Sequence, residues 1–255
     1  MPRPGRIAAG LLTAVLIGAL LALVHGPWLR VVTIAWAGER YTEASQLQHA
    51  LAALDGTPLL MVDAAGLAAK LERLPAIEHA RVEAFLPDSV KVTIEEKKAA
   101  FVWQTSAVRL LGDADGALIG QVALQADLPP DLAALPLVDD RRNASREIIV
   151  GDQIDGPTLA AALRLAAIDP RAMGSTATHL DLRLTDVDGF LLVSSAPPWQ
   201  ADFGFYPAQD SGELATIEQR VSGQVAAVRT LFSLQGEGQV SWVDARDPGR
   251  VYWRP

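Results

Sequence analysis

The feature that most constrains this chain lies at its start. Ile7 to Val24 (IAAGLLTAVLIGALLALV) is an 18-residue run without a charge, and its one hydroxyl is that of Thr13. As a helix rising 1.5 Å per residue it reaches about 27 Å, the depth of a bilayer's hydrocarbon core. A helix buried in a protein core would carry some polar face, and this run has none. Arg3 and Arg6 precede it, and Arg30 is the first fixed charge beyond it. That bias places a tail, residues 1–6, in the cytoplasm and everything after Trp28 outside. A cleaved signal peptide is the competing reading, but LALVHGPW offers no good small-x-small site and Pro27 follows Gly26. The expectation is an uncleaved single-pass anchor over residues 7–24 in the cell (inner) membrane.

Past residue 30 the balance turns acidic. Of 22 Lys and Arg, Arg3, Arg6 and Arg30 lie in the first 30 residues, which hold no acid, leaving 19 bases against 30 acids. A net charge of −11 over residues 31–255 excludes the basic footprint that nucleic-acid binding needs. Cysteine is absent, which excludes thiol catalysis, cysteine-ligated metals and disulfides. Half of the chain is hydrophobic and a fifth is charged, enough to build a core.

From Val31 the pattern shortens. VVTIAWAG reads as a strand ended by Gly38. Thr42 reads as the cap of a helix from Glu43 to Leu54 whose stripe is Leu47, Ala50, Leu51 and Leu54, and Asp63 as the cap of a second helix stopped by Pro75. Ala80, Val82, Ala84 and Leu86 alternate with Arg81, Glu83 and Phe85; after a Leu-Pro-Asp turn, Val90, Val92 and Ile94 alternate with polar residues. Those runs predict a hairpin with one buried face, and the order β-α-α-β-β predicts helices layered on a sheet over residues 29–97. From Lys98 the reading is a mixed β-rich domain with two helices, over residues 98–255, so the fold class is α+β. Its strands are AAFVWQT, SAVRLLG, GALIG, THLDLRL, GFLLVSS, WQADFGF and QVSWVDAR. Residues Asp127 to Arg146, rich in Pro, Asp and Arg, read as a surface loop. Asp210 and Glu213 read as the cap of a long helix with Leu214, Ile217, Val221, Val225, Val228 and Phe232 on one stripe.

Catalytic signals are weak. The histidines, at positions 25, 49, 79 and 179, have no metal-pair spacing, and H-E-x-x-H, G-x-S-x-G and the phosphate-binding G-x-x-x-x-G-K-[ST] are absent. Asp113-Ala-Asp-Gly116 lacks the later ligands of a calcium loop and reads as a hairpin turn. Asp139-Asp140 and Glu95-Glu96 are adjacent, so on a strand they point to opposite faces and read as solvated surface. The reading assigns no catalytic residue, metal, cofactor or small-molecule substrate.

The last strand carries the positive signal. Lying close to the C-terminus, it is expected at a sheet edge, where unpaired backbone groups invite a partner's strand. Val240, Trp242, Asp244 and Arg246 alternate onto one face, Trp242 and Trp253 are candidate anchors, and Arg246 is a candidate for pairing with a partner's carboxylate. Arg81, Glu83 and Phe85 form a second candidate surface on the first domain.

Several short motifs lie in order along the chain: Leu71 and Leu74-Pro75, Ala80 and Val82, Leu86-Pro87, Val92 and Ile94, Glu96-Lys97, Asp113 with Gly116, Leu135 to Leu137, and Asp244 with Arg246. In this combination the chain resembles the FtsQ/DivIB family of bacterial cell-division proteins from its anchor to its end. It departs from the family's pattern at Ala99, where a proline is usual, and at Asp247, where some members carry an aromatic. The resemblance implies a POTRA domain followed by a β domain, and a non-catalytic scaffold at the division septum. It also implies capture of FtsB/FtsL or DivIC-type partners through the C-terminal region. Rival readings are a membrane-anchored cell-wall hydrolase using clustered carboxylates, and a POTRA-containing envelope assembly factor outside division.

Overall fold

A computed structural model describes residues 11–18, 29–206, 214–247 and 249–255. Residues 11–18 are helical. Among the described residues no helix is long and apolar enough to cross a membrane; the rest of the expected anchor over 7–24 lies outside them, as does the expected cap at Asp210 and Glu213. The chain parts into two compact units between Lys97 and Lys98.

The first unit runs β1 (Thr33–Ala37), α1 (Ala44–Leu51), α2 (Ala64–Leu71), β2 (Ile77–Phe85) and β3 (Ser89–Glu96). The sheet order is β1-β3-β2, with β1 parallel and β2 antiparallel to β3. Leu47, Leu51 and Leu71 of the helices close on Val82, Val92 and Ile94 of the sheet, the outcome of a helical period meeting a strand period. Asp63 caps α2 as its position predicts, accepting from the Gly66 N–H at 2.9 Å. Thr42 does not cap α1, which starts after Glu43 without a side-chain cap. Its hydroxyl donates instead to Glu96 Oε1 at 2.5 Å. The other Glu96 oxygen accepts the N–H groups of Arg40 (2.9 Å) and Tyr41 (2.7 Å). The acid of the Glu96-Lys97 pair therefore ties the end of β3 to the loop before α1.

The second unit holds β4 (Phe101–Gln104), β5 (Val108–Gly112), β6 (Leu118–Ala123), α3 (Pro130–Ala133), β7 (Leu137–Asp140), α4 (Gly156–Ala166), β8 (Asp181–Thr185), β9 (Gly189–Ser195), β10 (Pro198–Gly204), α5 (Leu214–Gln235), β11 (Trp242–Asp244) and β12 (Tyr252–Arg254). Their nine strands form one sheet in the order β12-β11-β10-β9-β8-β7-β4-β5-β6. α4 packs on β7 and β8, and α5 on α4 and β10. Ile217, Val221, Val228 and Phe232 of α5 are buried, as their spacing predicts. Asp113 Oδ1 accepts the N–H groups of Asp115 (3.0 Å) and Ala117 (2.9 Å), closing the β5–β6 hairpin turn.

One stretch departs from expectation. Within residues 127–146, read as surface loop, lies β7, parallel to both β4 and β8. Four residues with two acids carry little strand signal; ladders on both sides supply the order that propensity does not. Asp140 is wholly buried rather than solvated. It accepts Trp103 Nε1–H at 3.0 Å and the Arg142 guanidinium at 3.0 and 2.8 Å, which offsets the cost of burying its charge.

Candidate partner-binding edge

The sheet terminates in the segment that the sequence singles out, but one strand later. β11 is not an edge: β10 pairs with it in parallel (Ala201 opposite Val243), and β12 pairs with it antiparallel (Val243 opposite Trp253). The expectation of an open strand over Val240–Arg246 is thus corrected. The reason is that VYWRP, which falls outside the strands read from the pattern, follows a turn in which the Arg250 N–H donates to the Asp247 carbonyl at 3.2 Å, and it completes the ladder of β11 on its second side. Among the described residues the strand with one neighbour at this end is β12.

The face assignments change with it. Val243 and Ala245 point into the core, while Trp242 and Asp244 lie on the opposite face with their cross-strand partners Arg254 and Tyr252. Val240 is buried, at the end of the 3-10 turn Glu237–Gln239, and so is no surface contact. Trp253 shares the face of Val243 and stays 38% exposed at the rim; Tyr252 is 52% exposed. These are the two aromatic side chains that the open strand presents.

Trp242 is half-buried and held from two directions. Its Nε1–H donates to Asp202 Oδ2 at 2.9 Å, and the Arg254 guanidinium lies 4.6 Å from its ring centroid, a cation–π distance. Asp202 is almost wholly buried. Burial pushes its carboxyl above the ordinary range, against the hydrogen bonds from Gln200 and Trp242 that pull it down. Arg246 does not wait for a partner's carboxylate. Its Nε–H donates to Asp244 Oδ1 at 2.9 Å, a second guanidinium N–H reaches Oδ2 at 2.5 Å, and its backbone N–H meets Oδ1 at 3.0 Å. This clamp holds Asp244 below the usual carboxylate range and repeats the Asp140–Arg142 arrangement at the end of β7.

Residues that pattern reading missed fix this corner. Gln224 of α5, buried, donates to the carbonyls of Phe203 (2.8 Å) and Ala245 (2.9 Å) and accepts the Tyr206 hydroxyl at 2.6 Å. One side chain thereby joins the ends of β10 and β11. Glu237 accepts Trp199 Nε1–H at 2.8 Å, the Thr176 N–H at 2.9 Å, and the Ser175 hydroxyl. Burial pushes its carboxyl up, but these donors outweigh it and hold it below the ordinary glutamate range.

In the first unit Arg81, Glu83 and Phe85 are exposed along β2, the outer strand of its sheet, opposite Thr93, Lys91 and Ser89 of β3.

Comparison with known proteins agrees with this architecture. Residues 29–97 match the POTRA domain, FtsQ-type, covering the β-α-α-β-β unit. The cell division protein FtsQ of Chloroflexus aurantiacus (strain ATCC 29366 / DSM 635 / J-10-fl) is 29% identical over 172 residues, 68% of this chain. That of Chloroflexus aggregans (strain MD-66 / DSM 9485) is 29% identical over 170 residues, 67% of the chain. By these matches the chain is similar to the FtsQ cell division proteins, and its first unit matches an FtsQ-type POTRA domain. The aligned stretch spans 60% of the length of each of these relatives and, being longer than the first unit, it reaches into the second.

Proposed function

We propose that this chain is a non-catalytic, single-pass membrane scaffold of the bacterial division machinery, with its tail in the cytoplasm and both units outside, at the septum. Its work is capture of FtsB/FtsL or DivIC-type partners by strand addition to β12. The observation that carries this reading is the strand Tyr252–Arg254, with a neighbour on one side among the described residues and exposed aromatics at its rim. Unpaired backbone groups supply affinity to an extended segment, and pockets beside alternate side chains supply selectivity. Trp253 and Tyr252 would anchor the added strand, while Trp242, Asp244 and Arg246 stiffen the strand behind it. Arg81 and Glu83 of β2 form a second, polar contact. Restriction to the membrane plane raises the effective concentration of other anchored components.

Co-purification from detergent-solubilised membranes tests the proposal. Removing residues 252–255 should abolish recovery of an FtsB/FtsL-type partner, and Trp253→Ala should weaken binding about tenfold or more, with the thermal melts of both variants showing a folded second unit. Undiminished recovery with the truncated chain would defeat strand addition at β12.

A further inference from the structure

Five large apolar side chains of the 29–97 unit stand exposed: Val32, Leu60, Met61, Phe85 and Leu86, at 50–72% exposure. All five lie at one end. β3 starts at Ser89, beside Thr33 of β1 and Phe85 of β2, so the hairpin turn and the entry to β1 share that end. The Val32 N–H donates to the Asp88 carbonyl at 2.9 Å, which brings Val32 beside the turn. Arg30 pairs with Pro58, and the Val31 N–H donates to the Thr57 carbonyl at 2.9 Å. These contacts bring in the 3-10 turn Leu59–Met61, whose Leu59 is buried and whose other two side chains are not. The opposite end, where Ile77 meets Glu96, exposes no large apolar side chain among the described residues.

Singly scattered apolar residues are ordinary on a surface, whereas a gathered set marks a contact. The position of this set identifies the contact. Leu29, where the unit begins, follows Val24 by five residues, a reach of at most about 18 Å. The end of the unit that exposes its apolar side chains is thus the end tied to the 18-residue apolar run. Charge does not offer an alternative: the Arg30 guanidinium donates to the Gly56 carbonyl at 3.0 Å, and the turn beside Val32 carries the acid Asp88, so the patch is not a basic one.

We propose that Val32, Leu60, Met61, Phe85 and Leu86 form an apolar rim that seats the first unit in the headgroup–acyl boundary of the membrane it emerges from. This rests on the reading of residues 7–24 as an uncleaved anchor. The rim sets how far β2 stands from the lipid, and it takes Phe85 out of the protein-contact surface shared by Arg81 and Glu83. Because apolar area rather than charge drives the insertion, it does not require anionic lipid.

The absence of cysteine makes site-specific labelling clean. The full chain carrying Met61→Cys, Leu86→Cys or Glu78→Cys, each labelled with an environment-sensitive fluorophore, would be reconstituted into phosphatidylcholine vesicles. Glu78 is exposed near the start of β2, about 23 Å along the strand from Phe85. The proposal expects every variant to float with vesicles through alkaline carbonate. Positions 61 and 86 should show blue-shifted emission quenched at least about twofold by brominated acyl chains, the depth being about 5–10 Å, and position 78 neither. Flotation with all three positions alike, whether quenched or not, overturns the rim and leaves the anchor standing. Failure to float overturns the anchor and the rim with it.

Discussion

Three indole N–H groups in the second unit end on carboxylates: Trp103 on Asp140, Trp199 on Glu237 and Trp242 on Asp202, at 2.8–3.0 Å. Each partner lies 37 to 40 residues away in sequence, so spacing rules, which see three or four residues, could not reveal these bonds. The motif Asp244-x-Arg246 is legible in the sequence, but its bidentate closure within one strand end is not, and the matching Asp140–Arg142 clamp gives no signal there, since Asp140 reads as solvated surface. Gln224 makes the sharpest stability prediction. Gln224→Leu strands two buried carbonyls and the Tyr206 hydroxyl, and the urea midpoint of the second unit, followed by tryptophan fluorescence, should fall by the equivalent of about 3 kcal/mol. Glu237 makes a pH prediction. A carboxyl held down in the folded state contributes stability that is complete above the unfolded glutamate range and is lost as pH falls through its lower, folded value. Glu237→Gln should therefore lower the urea midpoint at pH 7 and narrow its fall between pH 7 and pH 3; parallel profiles would exclude this role.

At the scale of elements, alternation was a reliable guide where one face of a strand is buried. β2 and β3, α2 with its Asp63 cap, and the apolar stripe of α5 all follow from period and capping. β7 and β12 escaped because four and three residues are too few to display a period. Both take their order from ladders with distant strands: β7 from β4 and β8, β12 from β11. The β9–β10 hairpin depends on a close approach that only glycine permits. Gly189 has φ +71°, and a Cβ there would meet the carbonyl carbon of Gly204 at 2.3 Å and its oxygen at 2.5 Å. Gly189→Ala should destabilise the second unit by about 2–4 kcal/mol, measurable by the same urea titration. An unchanged midpoint would mean that the two strands can part there without loss.

At the scale of the whole molecule, the proposed scaffold has a tether early in the chain and an open β-ladder late in it. The proposed device calls for no catalytic group: the tether would confine, the sheet would supply the template, and the partner would bring the missing strand. The similarity to the FtsQ proteins of Chloroflexus reaches into the second unit, whereas the proposed mode of partner attachment rests on the open flank of β12. Amide hydrogen exchange of the full chain, with and without an FtsB/FtsL-type partner, addresses that directly. The account predicts strong slowing at Tyr252–Arg254, while β6 at the far edge of the sheet keeps its own rate. Unchanged exchange at β12, with protection appearing elsewhere on a saturated complex, would contradict it.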